Sequence, residues 1–79
     1  MKTKLWKLKT FTKIVLSGWH LEDCVVKVRT GDRWTQLVPA QLQNEEFSVT
    51  FTLREAVTAD ALRFEFPQEC VDLYELELF

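Results

Sequence analysis

"EFSVTFTLREAVTADALRFEF", residues 46–66, decides the fold. At its start Phe47, Val49, Phe51 and Leu53 fall on one side of an extended chain, and Ser48, Thr50, Thr52 and Arg54 on the other. At its end Leu62, Phe64 and Phe66 alternate with Arg63 and Glu65. Side chains of a strand point to opposite faces with a period of two, so this pattern predicts strands with one buried and one wet face. The centre, "REAVTAD" (54–60), breaks the pattern. It is expected to be a connection with at most one helical turn, being too short for a stable helix.

The same period extends outward. "LYELELF" (73–79) sets Tyr74, Leu76 and Leu78 against Glu75 and Glu77, with Leu73 and Phe79 sharing the acidic face. "CVVKVRT" (24–30) can bury Cys24, Val26 and Val28 while Lys27 and Arg29 face water. "RWTQLV" (33–38) follows after Gly31 and Asp32, which suit the positive φ of a two-residue hairpin turn. "FTKIVL" (11–16) and "KLWKLK" (4–9) read as further strands. Segments 17–23, 39–45 and 67–70 read as connections. Six or seven antiparallel strands in one chain predict an all-β protein: a single small β-sandwich, jelly-roll-like, over residues 1–79.

The chain has 79 residues, 47% of them hydrophobic, with three Trp, six Phe and one Tyr. That is enough apolar material for a core, although a domain this small buries only about 60% of its unfolded surface. The net charge of −2 gives no global pull toward nucleic acid or anionic membrane. No apolar run approaches a membrane span, and no apolar signal segment stands at the start. With Met1 as the natural start, the expected location is the cytoplasm. Cys24 and Cys70 lack metal-ligand spacing; free thiols are favoured over a disulfide, since no export signal is visible. No calcium-loop spacing, nucleophile elbow or phosphate loop is present, so neither cofactor nor metal nor catalysis is expected.

Charge is unevenly placed. Lys2, Lys4, Lys7, Lys9 and Lys13 lie in the first twenty residues, which hold no acid. The last fifteen hold Glu65, Glu69, Asp72, Glu75 and Glu77 and no base. Antiparallel pairing of the first and last strands would set Lys7 or Lys9 opposite Glu75 or Glu77. Surplus lysines would also guard an edge strand against aggregation.

With strands running antiparallel, connections 17–23, 39–45 and 67–70 gather at one end, and the Gly31-Asp32 turn and segment 54–60 at the other. The first end collects Trp19, His20, Gln41, Gln43, Asn44, Gln68 and Glu69. It is the place where aromatic and hydrogen-bonding side chains converge. An exposed Trp19 indole would stack on a sugar ring, while Gln43, Asn44 and His20 take its hydroxyls. The competing reading folds Trp19 back over the open end of the core. His20, the sole histidine, has no second ligand or nucleophile at a useful spacing.

From Leu21 to Phe79 the chain resembles the C-terminal half of discoidin-type domains, the coagulation-factor C-type modules of the galactose-binding-like superfamily. The residues that carry the likeness are "VKVRTGDRWTQL", "FTLREAVTADALRFEF" and the closing "VDLYELELF". The resemblance implies a jelly-roll sandwich that binds sugars, lipids or proteins through loops at one end, without catalysis. It also implies that Trp34 packs against the sandwich interior. The expected function is therefore a non-catalytic binding module for carbohydrate or another polar ligand. The alternative is a protein-interaction or assembly domain, such as a homodimer that completes a small sandwich.

Overall fold

A computed structural model of the protein describes residues 2–67 and 70–79, with the backbone alone for residues 2–7. Six strands form one antiparallel sheet: β1 (Lys2–Trp19), β2 (Val25–Thr30), β3 (Arg33–Gln36), β4 (Gln41–Asn44), β5 (Ser48–Glu65) and β6 (Asp72–Leu78). Neighbours run β3-β2-β5-β1-β6, and β4 pairs the first part of β5. The chain is all-β, with no helix among the described residues.

The two longest strands set the shape. Eighteen residues of straight strand would run about 60 Å, yet the longest dimension of the molecule is 32 Å. Both β1 and β5 therefore bend. The pairing jumps from Phe11↔Val57 to Lys13↔Thr52, which sets the four residues Leu53–Ala56 of β5 against Thr12 alone on β1. Such an insertion bends a strand and raises its twist. The sheet folds over at this corner into two layers. One holds β4, the start of β5, the end of β1 and β6; the other holds β3, β2, the end of β5 and the start of β1.

Segment 54–60 is thus strand, not a connection with a helical turn. Its second half, Val57–Ala59, pairs with Phe11, Thr10 and Lys9 of β1, while Arg54–Ala56 carry the chain round the corner without a partner on β1. A second irregularity, between Lys4↔Ala61 and Lys9↔Ala59, sits on β1. It lies where β1 is an edge of its layer, because β6 pairs only the stretch from Ile14 to Trp19. Bulges and lysines are two devices that keep an edge from pairing with other chains.

Between the layers lie Phe11, Ile14, Leu16, Val26, Leu62 and Phe64, all fully buried. Ile14, Leu16, Val26, Leu62 and Phe64 alternate with Lys13, Val15, Lys27, Arg63 and Glu65, and the irregularity between Phe11 and Lys13 lets Phe11 and Ile14 both point inward. No polar or charged side chain among the described residues is buried. The core is therefore held by apolar burial, worth about 1.5–3 kcal/mol for each large side chain. The Gly31-Asp32 turn joins β2 to β3 with Gly31 at φ 65° and Thr30 opposite Arg33, as a two-residue turn with glycine first demands.

Three sequence expectations need correction. Residues 41–44, read as part of a connection, form β4; every residue in it is exposed, so no burial pattern marks it. Phe47, expected inside, is 47% exposed because β5 starts one residue later. Tyr74, expected to share a face with Leu76 and Leu78, is 67% exposed. The pairing steps from Ser17↔Glu75 to Gly18↔Leu73, so Tyr74 is a bulged extra residue that shifts the alternation by one. Leu73 consequently packs on the core instead of the acidic face.

Candidate functional site

The rim at the end of β1 is built from three segments. Trp19 is the last residue of β1 and pairs with Asp72, the first of β6. The turn between β4 and β5 approaches from the other side, where the Gly18 amide donates to the Phe47 carbonyl at 2.8 Å. His20 then leaves the sheet with φ 56°, and Asp23 follows at 57°. Histidine and aspartate are among the few non-glycine residues that tolerate this left-handed backbone. Between them Leu21 turns inward and is buried in the core. Leu21, and not Trp19, caps this end of the core.

Trp19 is consequently free to stand at the surface, 45% exposed. The Phe47 ring meets it edge-on, with centroids 5.0 Å apart, and the His20 ring lies tilted at 5.7 Å. An edge-to-face pair fixes the indole and leaves part of its π surface to solvent.

Beside Trp19 lies the outer face of the first layer. Alternation puts Ser17, Val15 and Lys13 on this face together with Trp19. Register then defines rows across it: Ser48, Ser17 and Glu75; next Gln43, Thr50, Val15 and Glu77; next Gln41, Thr52 and Lys13. Asp72 adjoins Trp19 directly. The face is a lattice of hydroxyls, amides and carboxylates with one indole at its rim.

The sequence-derived residues divide here. Trp19 and His20 meet. Gln43 lies on the same face, two strands and about 10 Å across from β1, where its amide donates to Glu45 Oε1 at 3.0 Å. Asn44 sits next to Gln43 on the opposite side by alternation. Gln68 and Glu69 lie outside the described residues. Phe47 and Asp72 belong to the rim and were not singled out in the sequence. Phe47 was hidden by its apparent place in an alternating run, and Asp72 becomes a neighbour only through the β1–β6 register.

A second polar cluster covers the outside of β2, β3 and β5. Arg29 donates through Nε to Asp60 at 2.9 Å, and its guanidinium lies 5.8 Å from the centre of the Trp34 ring. Trp34 is half-buried on this outer surface, directly across from Arg29, and is not part of the core as the resemblance implied. Its position follows from parity: Val28 points inward, so Arg29 and its partner Trp34 point outward. Glu65 takes Lys27 at 3.2 Å and Arg63 at 3.2 Å, and the Lys27 contact chiefly holds its carboxyl below the usual range.

The expected lysine–glutamate ladder is not formed. The first and last strands do pair, but Glu75 and Glu77 stand opposite Ser17 and Val15, not Lys7 or Lys9. Cys24 and Cys70 are free thiols. No group of three or more metal-ligating side chains occurs among the described residues. No family model, curated protein or solved structure matches the chain.

Proposed function

We propose that the protein is a non-catalytic binding module that takes a carbohydrate at the Trp19 rim. The observation that carries this reading is the half-exposed indole, held edge-on by Phe47, beside a sheet face of hydroxyls and carboxylates. A pyranose offers an apolar face to stack on the indole and equatorial hydroxyls to the groups around it. Asp72 lies nearest for this role; Ser17 and Glu75 lie one row further on, and Gln43 is within reach of a longer oligosaccharide. The discoidin-like pattern between Leu21 and Phe79 points the same way.

A glycan array followed by calorimetry tests the reading. Wild type should bind at least one glycan, and Trp19→Ala should abolish the heat of binding while the thermal transition stays in place. Absence of binding in both proteins rejects it.

A second reading, contact with a protein partner, is favoured by the exposure of Phe47 and Tyr74 at the same end as Trp19. Aromatic side chains are enriched in interface centres. Under this reading Tyr74→Ala weakens partner capture as much as Trp19→Ala, whereas glycan binding tolerates it.

A further inference from the structure

We infer that the Trp19 rim selects an amino sugar whose amine is free and positively charged, through the carboxylates of β6. This deepens the carbohydrate reading above and rests on it. The charge of the ligand follows from how acids are treated on the two outer faces. On the second layer, Asp60 takes Arg29 at 2.9 Å, and Glu65 takes Lys27 and Arg63 at 3.2 Å. On the first layer, Asp72, Glu75 and Glu77 make no ion pair among the described residues. Lys13 is the only cationic side chain in β4, β6 and residues 13–19 and 48–53. Its Nζ lies 5.5 Å from the centre of the Phe79 ring and not on a carboxylate. Acids strung along one strand repel one another, so a cation reaching this face is drawn by all of them.

Register sets that charge beside the indole. Asp72 stands opposite Trp19, Glu75 opposite Ser17 and Glu77 opposite Val15. Cross-strand partners hold their Cβ atoms about 4.5–5.5 Å apart. A sugar stacked on Trp19 by its apolar face therefore turns its substituents toward Asp72 first, and a chain extending over β6 meets Glu75 and Glu77 in turn. An ammonium there accepts the field of the carboxylates and donates charge-assisted hydrogen bonds to them. The face of the half-exposed indole attracts the same charge. A uronate or a sulfated sugar is repelled. A lysine side chain carries the charge but has no flat apolar face to lay on the indole.

Calorimetry in mildly acidic buffer tests this with two β-1,4-linked probes of equal length, a glucosamine tetramer and its fully N-acetylated counterpart. Wild type should bind the glucosamine tetramer at least about tenfold more tightly. Raising salt from about 20 mM to about 500 mM should weaken that binding and leave any binding of the acetylated tetramer in place. An Asp72→Asn, Glu75→Gln, Glu77→Gln variant changes exposed side chains only, so it should keep its thermal transition and lose the preference. Asp72→Asn alone should reduce the preference about threefold, which keeps the test decisive if the triple variant fails to fold. Equal or tighter binding of the acetylated tetramer overturns the inference and leaves the carbohydrate reading standing. So does a preference untouched by these variants, or binding of neither tetramer by a protein that binds another glycan. Tetralysine bound as tightly as the glucosamine tetramer also overturns it, since the face would then trap any cation. Failure to bind any sugar removes both readings together.

Discussion

A Cβ placed on Gly18 would overlap the carbonyl oxygen of Asp72. The β6 backbone crosses β1 at its closest approach there, one step from the bulge that turns Tyr74 outward. Glycine in a strand often marks such contact between backbones. The obstructing atoms are main chain, so they cannot swing aside. Gly18→Ala should therefore destabilise the fold by about 2–3 kcal/mol, the range of a forced overpacking. It should also lower the indole quenching or near-UV signature of Trp19, because β6 must shift at the adjacent pair. A urea midpoint equal to that of wild type would contradict the geometry.

Arg29 ties three strands together on the outer surface through Trp34 of β3 and Asp60 of β5. Both members of the ion pair are about one-third exposed, so water screens much of the Coulomb attraction. Arg29→Ala should cost about 1–1.5 kcal/mol, the sum of a screened pair and a cation–π contact. The Arg29–Trp34 coupling in a double-mutant cycle should be about 0.5–1 kcal/mol and should persist in high salt. Coupling that vanishes in salt would assign the contact to ion pairing alone.

The corner of β5 separates core from solvent over four residues. Leu53 is buried, whereas Arg54, Glu55 and Ala56 are exposed. Leu53→Ala should cost about 2–4 kcal/mol through the cavity it leaves. Alanine at Arg54 or Glu55 should change stability by less than about 0.5 kcal/mol. Equal losses at all three positions in urea titrations would mean that the corner packs through its outer side chains.

The parts of this fold legible in the sequence are those where alternation runs unbroken. Val49–Leu53, Leu62–Phe64 and Val26–Val28 read as half-buried strand and are half-buried strand. What alternation cannot show is a strand whose pairing is irregular or whose burial is uniform. The corner at Leu53–Ala56 loses the period because the registers with β1, β2 and β4 all leave it without a partner. β4 loses it because both of its faces are wet. At the rim, Trp19 and His20 were legible as residues of unusual type, but segment 17–23 reads as a connection whereas Ser17, Gly18 and Trp19 are the last residues of β1. Phe47 and Asp72 were not legible as rim residues, since their closeness to Trp19 is a product of register between distant segments. The inward reading of Trp34 came from the resemblance; the alternation that buries Val28, carried across the two-residue turn to the Arg29–Trp34 pair, places Trp34 outside.

Left-handed backbone at His20 and Asp23 brackets the buried Leu21. His20→Gly removes a Cβ from a conformation that most side chains avoid, and should stabilise the chain modestly, by up to about 1 kcal/mol. Leu21→Ala should cost about 2–4 kcal/mol, since it uncaps the core at the rim. Thermal unfolding of the two variants checks both signs; a destabilised His20→Gly would mean that the contact with the Trp19 ring outweighs the backbone relief.

The two thiols should differ in reactivity and in their effect on alkaline stability. Cys70 is exposed and Cys24 half-buried, and burial pushes the Cys24 thiol up from 9.0 to about 12. A disulfide exchange reagent at pH 8 should therefore modify one thiol quickly and the second only when urea unfolds the chain, because the thiolate is the reacting species. The same shift sets a direction for stability. Above pH 9 the unfolded chain releases the Cys24 proton while the folded chain keeps it until about pH 12. The folded state then binds more protons, so stability falls as pH rises through this window. Urea midpoints of wild type should drop more steeply between pH 8.5 and 10.5 than those of Cys24→Val. Parallel slopes in the two proteins, or equal labelling rates at the two thiols, would show that Cys24 is as open to water as Cys70.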